Sequence, residues 1–95
     1  MPPSIVKELQ PCIANAGDKV ELKCQLGGDD LHVTWYLGDE DLTESTGVQI
    51  VQRSNGTNTL TLESAKIEDE GEYTIQVKNE AGSIKMTAEL KVIGE

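Results

Sequence analysis

Short runs in which apolar and polar residues alternate constrain the fold of this chain more than any other feature. Such runs occupy residues 20–26, 32–36, 59–63, 73–78 and 88–92, and a further apolar run covers 48–52. A period of two places one row of side chains inward and the other outward, as in a half-buried β-strand. Turn residues separate the runs about every ten residues, and Asn55-Gly56 is a strong hairpin signal. The pattern predicts seven or more short strands, packed as a two-sheet, all-β sandwich.

The rest of the chain adds little secondary structure to this pattern. One short helical turn is predicted over residues 64–69, where Ser64 is expected to cap it and Glu68 lies in its first turn. No linker, repeat or low-complexity stretch interrupts the 95 residues, so residues 1–95 are expected to form one domain with a core from about 4 to 93. Met1 directly before Pro2 and Pro3 is typical of a start codon added to an excised fragment, and we expect the native protein to be longer.

Charge excludes two classes of partner. The chain has 17 acidic and 8 basic residues, which gives a net charge of −9. A chain with this balance is repelled by nucleic-acid phosphates and by anionic membrane surfaces. No apolar run reaches the roughly 18 residues needed to span a membrane. We therefore expect neither nucleic-acid binding nor membrane docking.

The sequence also offers no catalytic constellation. His32 is the only histidine, and it lies on the outward phase of its strand with no nucleophile beside it. Cys24 lies on an inward phase among apolar residues, whereas a nucleophilic thiolate needs an accessible, electropositive site. The glycines are spread among turns and form no phosphate-binding loop. We expect no enzymatic activity, no cofactor and no catalytic residue.

One set of residues points to a fold family. Cys24 lies inward on one strand, Trp35 follows on the next, and Tyr73 comes directly after an acidic turn that contains Gly71. A large indole fills the gap of about 10 Å between packed sheets, and a corner tyrosine ties its hydroxyl to backbone upstream. In these residues the chain resembles an I-set immunoglobulin domain of the kind found in giant intracellular muscle proteins. The segments that carry the resemblance are residues 2–3, 16–24, 33–36, 59–62, 69–74 and 77–83.

The resemblance implies a Greek-key sandwich with no disulfide between its sheets. One sheet would contain strands 4–9, 19–26, 58–63 and 48–53, in that order. The other would contain strands 11–15, 82–93, 72–79 and 31–37, with room for a short extra strand after residue 42. The implied core surrounds Cys24, Trp35, Leu62, Tyr73, Ile75 and Leu90.

A departure from the family pattern indicates the compartment. Two residues after the corner tyrosine, extracellular members carry the second cysteine of the disulfide, whereas this chain has Ile75. Cys24 is therefore expected to be a reduced, buried thiol, which favours the cytosol, where disulfides are rare. Cys12 is expected to point inward, and a bond between Cys12 and Cys24 stays open because it depends on their separation. Asn55 begins a glycosylation sequon, but we interpret it as a hairpin tip.

Acidic side chains supply the one candidate interaction site. The resemblance implies that several loops meet at the end of the sandwich where the chain exits. Three interpretations stand: a solvated end that keeps modules apart, which is favoured; a docking face for a basic partner; or a calcium site, although residues 39–41 lack the spacing of a known calcium loop. Asp69 is expected to pair with Arg53 or to cap its turn. The acidic residues expected to gather are Asp18, Asp39, Glu40, Asp41, Glu68, Asp69 and Glu70.

The resemblance implies a non-catalytic structural and protein-interaction module of a sarcomeric or cytoskeletal multidomain protein. It would act in the cytoplasm as a mechanical spacer and docking unit. Its partners would be neighbouring immunoglobulin or fibronectin modules and other muscle or cytoskeletal proteins, and the isolated domain is expected to be a monomer. Two alternatives remain: an extracellular adhesion or receptor domain that lacks the usual disulfide, and a module that flanks a kinase domain in a twitchin-like protein.

Overall fold

Nine strands and one 3-10 turn make up the regular structure of residues 2–44 and 47–94, the part of the chain that the computed structural model describes. The 3-10 turn covers Ile67–Asp69. The strands are β1 Ser4–Lys7, β2 Cys12–Asn15, β3 Val20–Gly27, β4 His32–Leu37, β5 Glu40–Asp41, β6 Val48–Gln52, β7 Thr57–Leu62, β8 Gly71–Asn79 and β9 Gly82–Ile93.

The strands form two sheets with the orders β1-β3-β7-β6 and β2-β9-β8-β4-β5. All neighbours are antiparallel except β2 and β9, which are parallel. The N-terminal segment changes sheets between β1 and β2, where Leu9 is buried and Pro11 supplies no N–H to either sheet. These orders confirm the all-β, two-sheet immunoglobulin architecture.

The strand that follows β4 differs from the expectation. The extra strand was expected after residue 42, but β5 lies before it, where Glu40 and Asp41 pair back onto Leu37 and Tyr36. Leu42 then donates a 2.9 Å hydrogen bond from its N–H to the carbonyl oxygen of Trp35. The two-residue turn at 38–39 therefore forms a tight β-hairpin, because so short a connection keeps the chain beside β4.

The turn before β8 also corrects a detail. The structure does not use Ser64 as the helix cap, and Lys66 occupies the capping position. The Lys66 N–H donates to Oδ2 of Asp69 at 2.9 Å, and the Asp69 N–H donates to the carbonyl oxygen of Lys66 at 2.9 Å. Asp69 therefore caps the turn with its own carboxylate, and the helical segment begins at Ile67.

The core lies between the two sheets and contains no disulfide. Trp35 and Ile75 expose none of their surface, and Cys24, Leu62, Tyr73 and Leu90 expose at most 2% of theirs. Both cysteines carry free thiols, with Cys24 buried and Cys12 half-buried against the core. Apolar packing between the sheets thus holds them together without a bond between the two cysteines.

Tyr73 fastens the turn before β8 to the sandwich. Its hydroxyl donates a 2.7 Å hydrogen bond to the carbonyl oxygen of Asp69, four residues upstream. Burial, and then the negative charge of Asp69, raise the pKa of the Tyr73 hydroxyl well above its ordinary value. The hydroxyl therefore stays protonated and able to donate across the physiological pH range.

Candidate functional site

Several acidic side chains meet in a hollow of about 610 Å³ at the end of the sandwich where β4 ends and β8 begins. We call it the acidic hollow. Four of its carboxylates, Glu40, Asp41, Glu68 and Asp69, are among the acidic residues expected to gather. The full lining is Leu37, Glu40, Asp41, Leu42, Glu44, Val48, Glu68, Asp69 and Tyr73.

Two tight local structures place these carboxylates. The β4–β5 hairpin carries Glu40 and Asp41 to one side of the hollow. The 3-10 turn that Asp69 caps places Glu68 on another side. Asp41 is further held in place by Thr43. Oδ1 of Asp41 accepts one hydrogen bond from the Thr43 hydroxyl at 2.5 Å and another from the Thr43 N–H at 2.8 Å. These bonds hold the pKa of the Asp41 carboxyl below its usual value, and the side-chain bond has the larger effect. The group therefore stays ionised.

Three of the predicted residues do not line the hollow. Oδ2 of Asp18 accepts a 3.2 Å hydrogen bond from the N–H of Asn15 within the β2–β3 turn. Oε1 of Glu70 accepts a 3.2 Å bond from the N–H of Val92 on β9. Asp39 lines a separate hollow together with Lys85. The acidic end is therefore divided. Two of the seven predicted residues bond to neighbouring backbone, Asp39 lines another hollow, and the remaining four line the acidic hollow.

The pairing of Asp69 with Arg53 is wrong, because β6 separates the two residues. Val48, the first residue of β6, lines the acidic hollow, whereas Arg53 follows its last residue. At that far end Arg53 lines another hollow with Gly28 and Asn55. The other alternative, that Asp69 caps its turn, is confirmed.

Glu44 is the acidic lining residue that sequence reasoning missed. It lies in the connection that carries the chain from β5 to β6, that is, from one sheet to the other. Nothing in the local sequence indicates the path of such a connection, because it has neither strand periodicity nor a defined turn motif. The adjacent acidic run at 39–41 was the only signal, and it pointed to the right region.

Other candidate sites take simple structural roles. No group of three or more histidine, cysteine or acidic residues could hold a metal ion within the described ranges. His32 is exposed at the start of β4, opposite Lys78. Burial raises the pKa of the Cys24 thiol to about 11, so this thiol is protonated at neutral pH and is no nucleophile. Within residues 2–44 and 47–94, no helix is long and apolar enough to cross a membrane.

The hairpin tip that carries the sequon is fastened to β3. Oδ1 of Asn55 accepts a 3.0 Å hydrogen bond from the N–H of Thr57, and the carbonyl oxygen of Asn55 accepts one from Gln25 Nε2 at 3.1 Å. The N–H of Leu26 donates to the carbonyl oxygen of Gly56 at 2.8 Å. The side chain of Asn55 therefore closes its own turn, as expected of a hairpin tip.

Comparison with protein families and curated proteins gives a consistent result. Residues 3–92 match the model of the immunoglobulin I-set domain. The chain is 38% identical over 93 residues to human palladin, covering 96% of this chain and 7% of palladin. It is 29% identical over 91 residues to the muscle M-line assembly protein unc-89 of Caenorhabditis elegans, covering 96% and 1%. It is also 29% identical over 93 residues to chicken vascular endothelial growth factor receptor 1, covering 97% and 7%. The chain thus spans at most 7% of these three relatives.

Solved structures resemble the chain over nearly its whole length. A chimeric titin Z1Z2 carrying an exogenous decorin peptide superimposes with a TM-score of 0.92 at 32% identity, covering 99% of this chain and 97% of that one. A chain from the complex of titin M10 with an obscurin-like 1 immunoglobulin domain gives a TM-score of 0.92 at 26% identity, covering 99% and 96%.

Proposed function

Because this chain belongs to the immunoglobulin I-set family, we propose that it is a non-catalytic module of a larger muscle or cytoskeletal protein. In that protein it acts in the cytoplasm as a mechanical spacer and as a docking unit. Its relatives include palladin and a muscle M-line assembly protein, and its structural neighbours are titin domains. The two free thiols agree with a reducing compartment.

The observation that carries the spacer role is the placement of the two chain ends. Pro2 lies beside Gly28 and Gly82, whereas Gly94 lies beside Ile67. The turn before β8 and the turn after it lie at opposite ends of the sandwich, which is 46 Å along its longest axis. The chain therefore enters at one end and leaves at the other, so that copies joined in series extend into a rod.

The parallel pair β2–β9 suits the module to tension. Four residue pairs join these strands, from Cys12 opposite Leu90 to Asn15 opposite Ile93. A pull on both ends of the chain draws β2 and β9 in opposite directions along their length. Their hydrogen bonds lie across the strands and are loaded together rather than one after another. The module would then hold its length until this pair shears.

The docking role has support from charge and from the comparisons. A titin domain with this fold occurs in complex with an obscurin-like 1 immunoglobulin domain. The net charge of −9 and the acidic hollow favour a basic partner over an acidic one, because charge complementarity accelerates encounter and suppresses wrong partners.

The spacer role is tested by stretching the chain between well-characterised handle domains. Ile13→Pro on β2 and Val6→Pro on β1 form a matched pair, because both residues are exposed apolar positions in four-residue strands. We expect Ile13→Pro to lower the unfolding force clearly and Val6→Pro to change it little. Equal losses in the two variants, or a wild-type chain that extends without a distinct unfolding event, would contradict the proposal.

A second candidate is an extracellular receptor or adhesion module. It is favoured by the similarity to a growth factor receptor and by the exposed sequon at Asn55. Mass spectrometry of the protein from its native source separates the two. A glycan on Asn55 would overturn the cytoplasmic assignment, whereas an unmodified Asn55 together with two free thiols would support it.

A further inference from the structure

Strand β6 presents an open sheet edge. In the order β1-β3-β7-β6 it is the outermost strand, and β7 is its one partner within the described part of the chain. Its sequence, VQIVQ, contains no charge, proline or glycine. Ile50 and Val51 each expose 37% of their surface. Such an uncharged, β-branched edge is a ready template for pairing with another strand.

The other edge strands carry the protection that β6 lacks. A register shift between Ile5 and Lys7 interrupts the pairing of β1. Strand β2 has four residues and directly follows Pro11. Strand β5 has two residues, Glu40 and Asp41, and both are acidic. Bulges, prolines, charges and short length are the usual means by which proteins block edge pairing. Of the edges within residues 2–44 and 47–94, β6 is the longest, and its own strand contains no bulge, proline or charge.

The free hydrogen-bonding groups of β6 follow from its pairing with β7. The N–H of Arg53 donates to the carbonyl oxygen of Thr57 at 2.9 Å, so the backbone of Arg53 faces β7. Backbone groups alternate in direction along an antiparallel strand. Val51 and Gln49 therefore also face β7, and the N–H and C=O groups of Val48, Ile50 and Gln52 point away from the sheet. These three residues form an evenly spaced row of donors and acceptors.

We propose that β6 is a homotypic interface, on which a second copy of this chain pairs antiparallel about a two-fold axis at Ile50. Ile50 then faces the Ile50 of the other copy, and Val48 faces the other copy's Gln52 on either side. Each of these three residue pairs would exchange two backbone hydrogen bonds. The same patch serves both copies, as two-fold symmetry requires. Two four-stranded sheets would join into one continuous sheet.

The charges at the two ends of β6 favour this occupant and its direction. The acidic hollow, with Glu44 and Glu68, lies beside Val48 at one end, and Arg53 follows Gln52 at the other. Antiparallel pairing brings Arg53 of each copy next to the acidic hollow of the other, twice by symmetry. A parallel pairing would place the two hollows together. The charges at the ends of β6 are thus complementary between two copies only when the two strands pair antiparallel.

This pairing departs from the monomer expected from the sequence and goes beyond docking of a basic partner. The strand is short and the net charge of −9 opposes association, so we expect a weak dimer for the isolated chain. In a protein with several modules, a weak contact becomes effective once a neighbouring contact holds the two chains together.

Sedimentation equilibrium from micromolar to about 1 mM protein tests the interface. We expect the average mass to rise from 10.3 kDa towards the dimer mass. Arg53→Glu should weaken the dimer roughly tenfold, because two ion pairs are lost and replaced by repulsion. Lys7→Glu is the matched control, since it makes the same charge change at an exposed site on β1, and it should have a much smaller effect.

Two further variants make the test specific. Gln52→Pro removes an N–H that β7 does not use, and should reduce dimerisation while circular dichroism and the melting temperature show a folded chain. Glu44→Lys added to Arg53→Glu should restore association, because it reverses both charges. A wild-type chain that stays monomeric at about 1 mM would overturn the proposal. A strand from a different protein would then be the remaining candidate partner for β6. A dimer that Gln52→Pro leaves intact, or that Arg53→Glu and Lys7→Glu weaken equally, would overturn it as well.

Discussion

Trp35 and Ile75 lie directly opposite each other across β4 and β8, and neither side chain exposes any surface. Ile75 stands where extracellular domains of this family carry a disulfide cysteine, while Cys24 lies buried in the other sheet. Both cysteines are free, so no disulfide joins the sheets, and the stability of the module depends on how well these apolar side chains fill the interior.

Ile75→Cys should restore the missing cross-link. Under reducing conditions the smaller side chain leaves unfilled space, and we expect the free energy of unfolding to fall by about 1–3 kcal/mol. Under oxidising conditions a bond to Cys24 should recover about 2–4 kcal/mol relative to the reduced variant. Urea unfolding with and without reductant measures both changes. A thiol assay should find one free thiol after oxidation instead of three, and an unchanged count would contradict the expected proximity.

Tyr73→Phe should destabilise the domain by about 1–1.5 kcal/mol, because it removes the hydrogen bond to the carbonyl oxygen of Asp69 while keeping the buried ring. Tyr36→Phe is a matched control, since Tyr36 is a half-buried tyrosine on β4. Urea unfolding of both variants measures the difference. If the two substitutions cost the same, the corner hydrogen bond does not stabilise the fold.

Gly56→Ala should cost far more stability than Gly17→Ala. Both glycines have positive φ, +91° and +94°, so each substitution strains the backbone by about 1 kcal/mol. A Cβ at Gly17 would meet nothing within 4 Å, whereas a Cβ at Gly56 would collide with the carbonyl oxygen of Leu26. We expect a loss of about 3 kcal/mol or more for Gly56→Ala, as for a severe packing defect. Thermal unfolding measures both, and similar melting temperatures would contradict the close approach of this hairpin to β3.

The free energy of unfolding should decrease as the pH rises above 9. Burial raises the pKa of the Cys24 thiol from 9.0 to about 11, so the unfolded chain releases this proton before the folded chain does. The folded state binds more protons between these values, and its advantage of about 1–2 kcal/mol is present below pH 9 and lost towards pH 11. Urea unfolding at pH 7, 9 and 10.5 measures the slope. Cys24→Ala should show a shallower decline over the same range, and an identical decline would contradict burial as its source.

Strand positions were predictable wherever one face of a strand is buried and the other is solvated. The alternation along β3, from Val20 to Gly27, is visible in the sequence because every inward residue is apolar. Strand β5 was misplaced because two residues cannot display a period.

The acidic site was only partly predictable, because spacing places residues near an end of the sandwich but does not show which groups they bind. The carboxylate of Glu70 accepts a hydrogen bond from the N–H of Val92, and the carboxylate of Asp18 accepts one from the N–H of Asn15. These bonds depend on the three-dimensional path of neighbouring turns. Glu44 also lines the acidic hollow. It lies in a connection between the sheets whose sequence contains no recognisable structural pattern.

The pairing of the second strand with the last one determines when the domain can fold during its synthesis. A ribosome completes all strands of the sheet β1-β3-β7-β6 by Leu62, but two long strands of the facing sheet, β8 and β9, are made afterwards. The inner face of the first sheet therefore stays incompletely covered on the nascent chain until β9 is made. If the next module along the same polypeptide has a similar β9, it is the nearest source of a wrong strand. Divergence between adjacent modules would then protect each of them against misassembly.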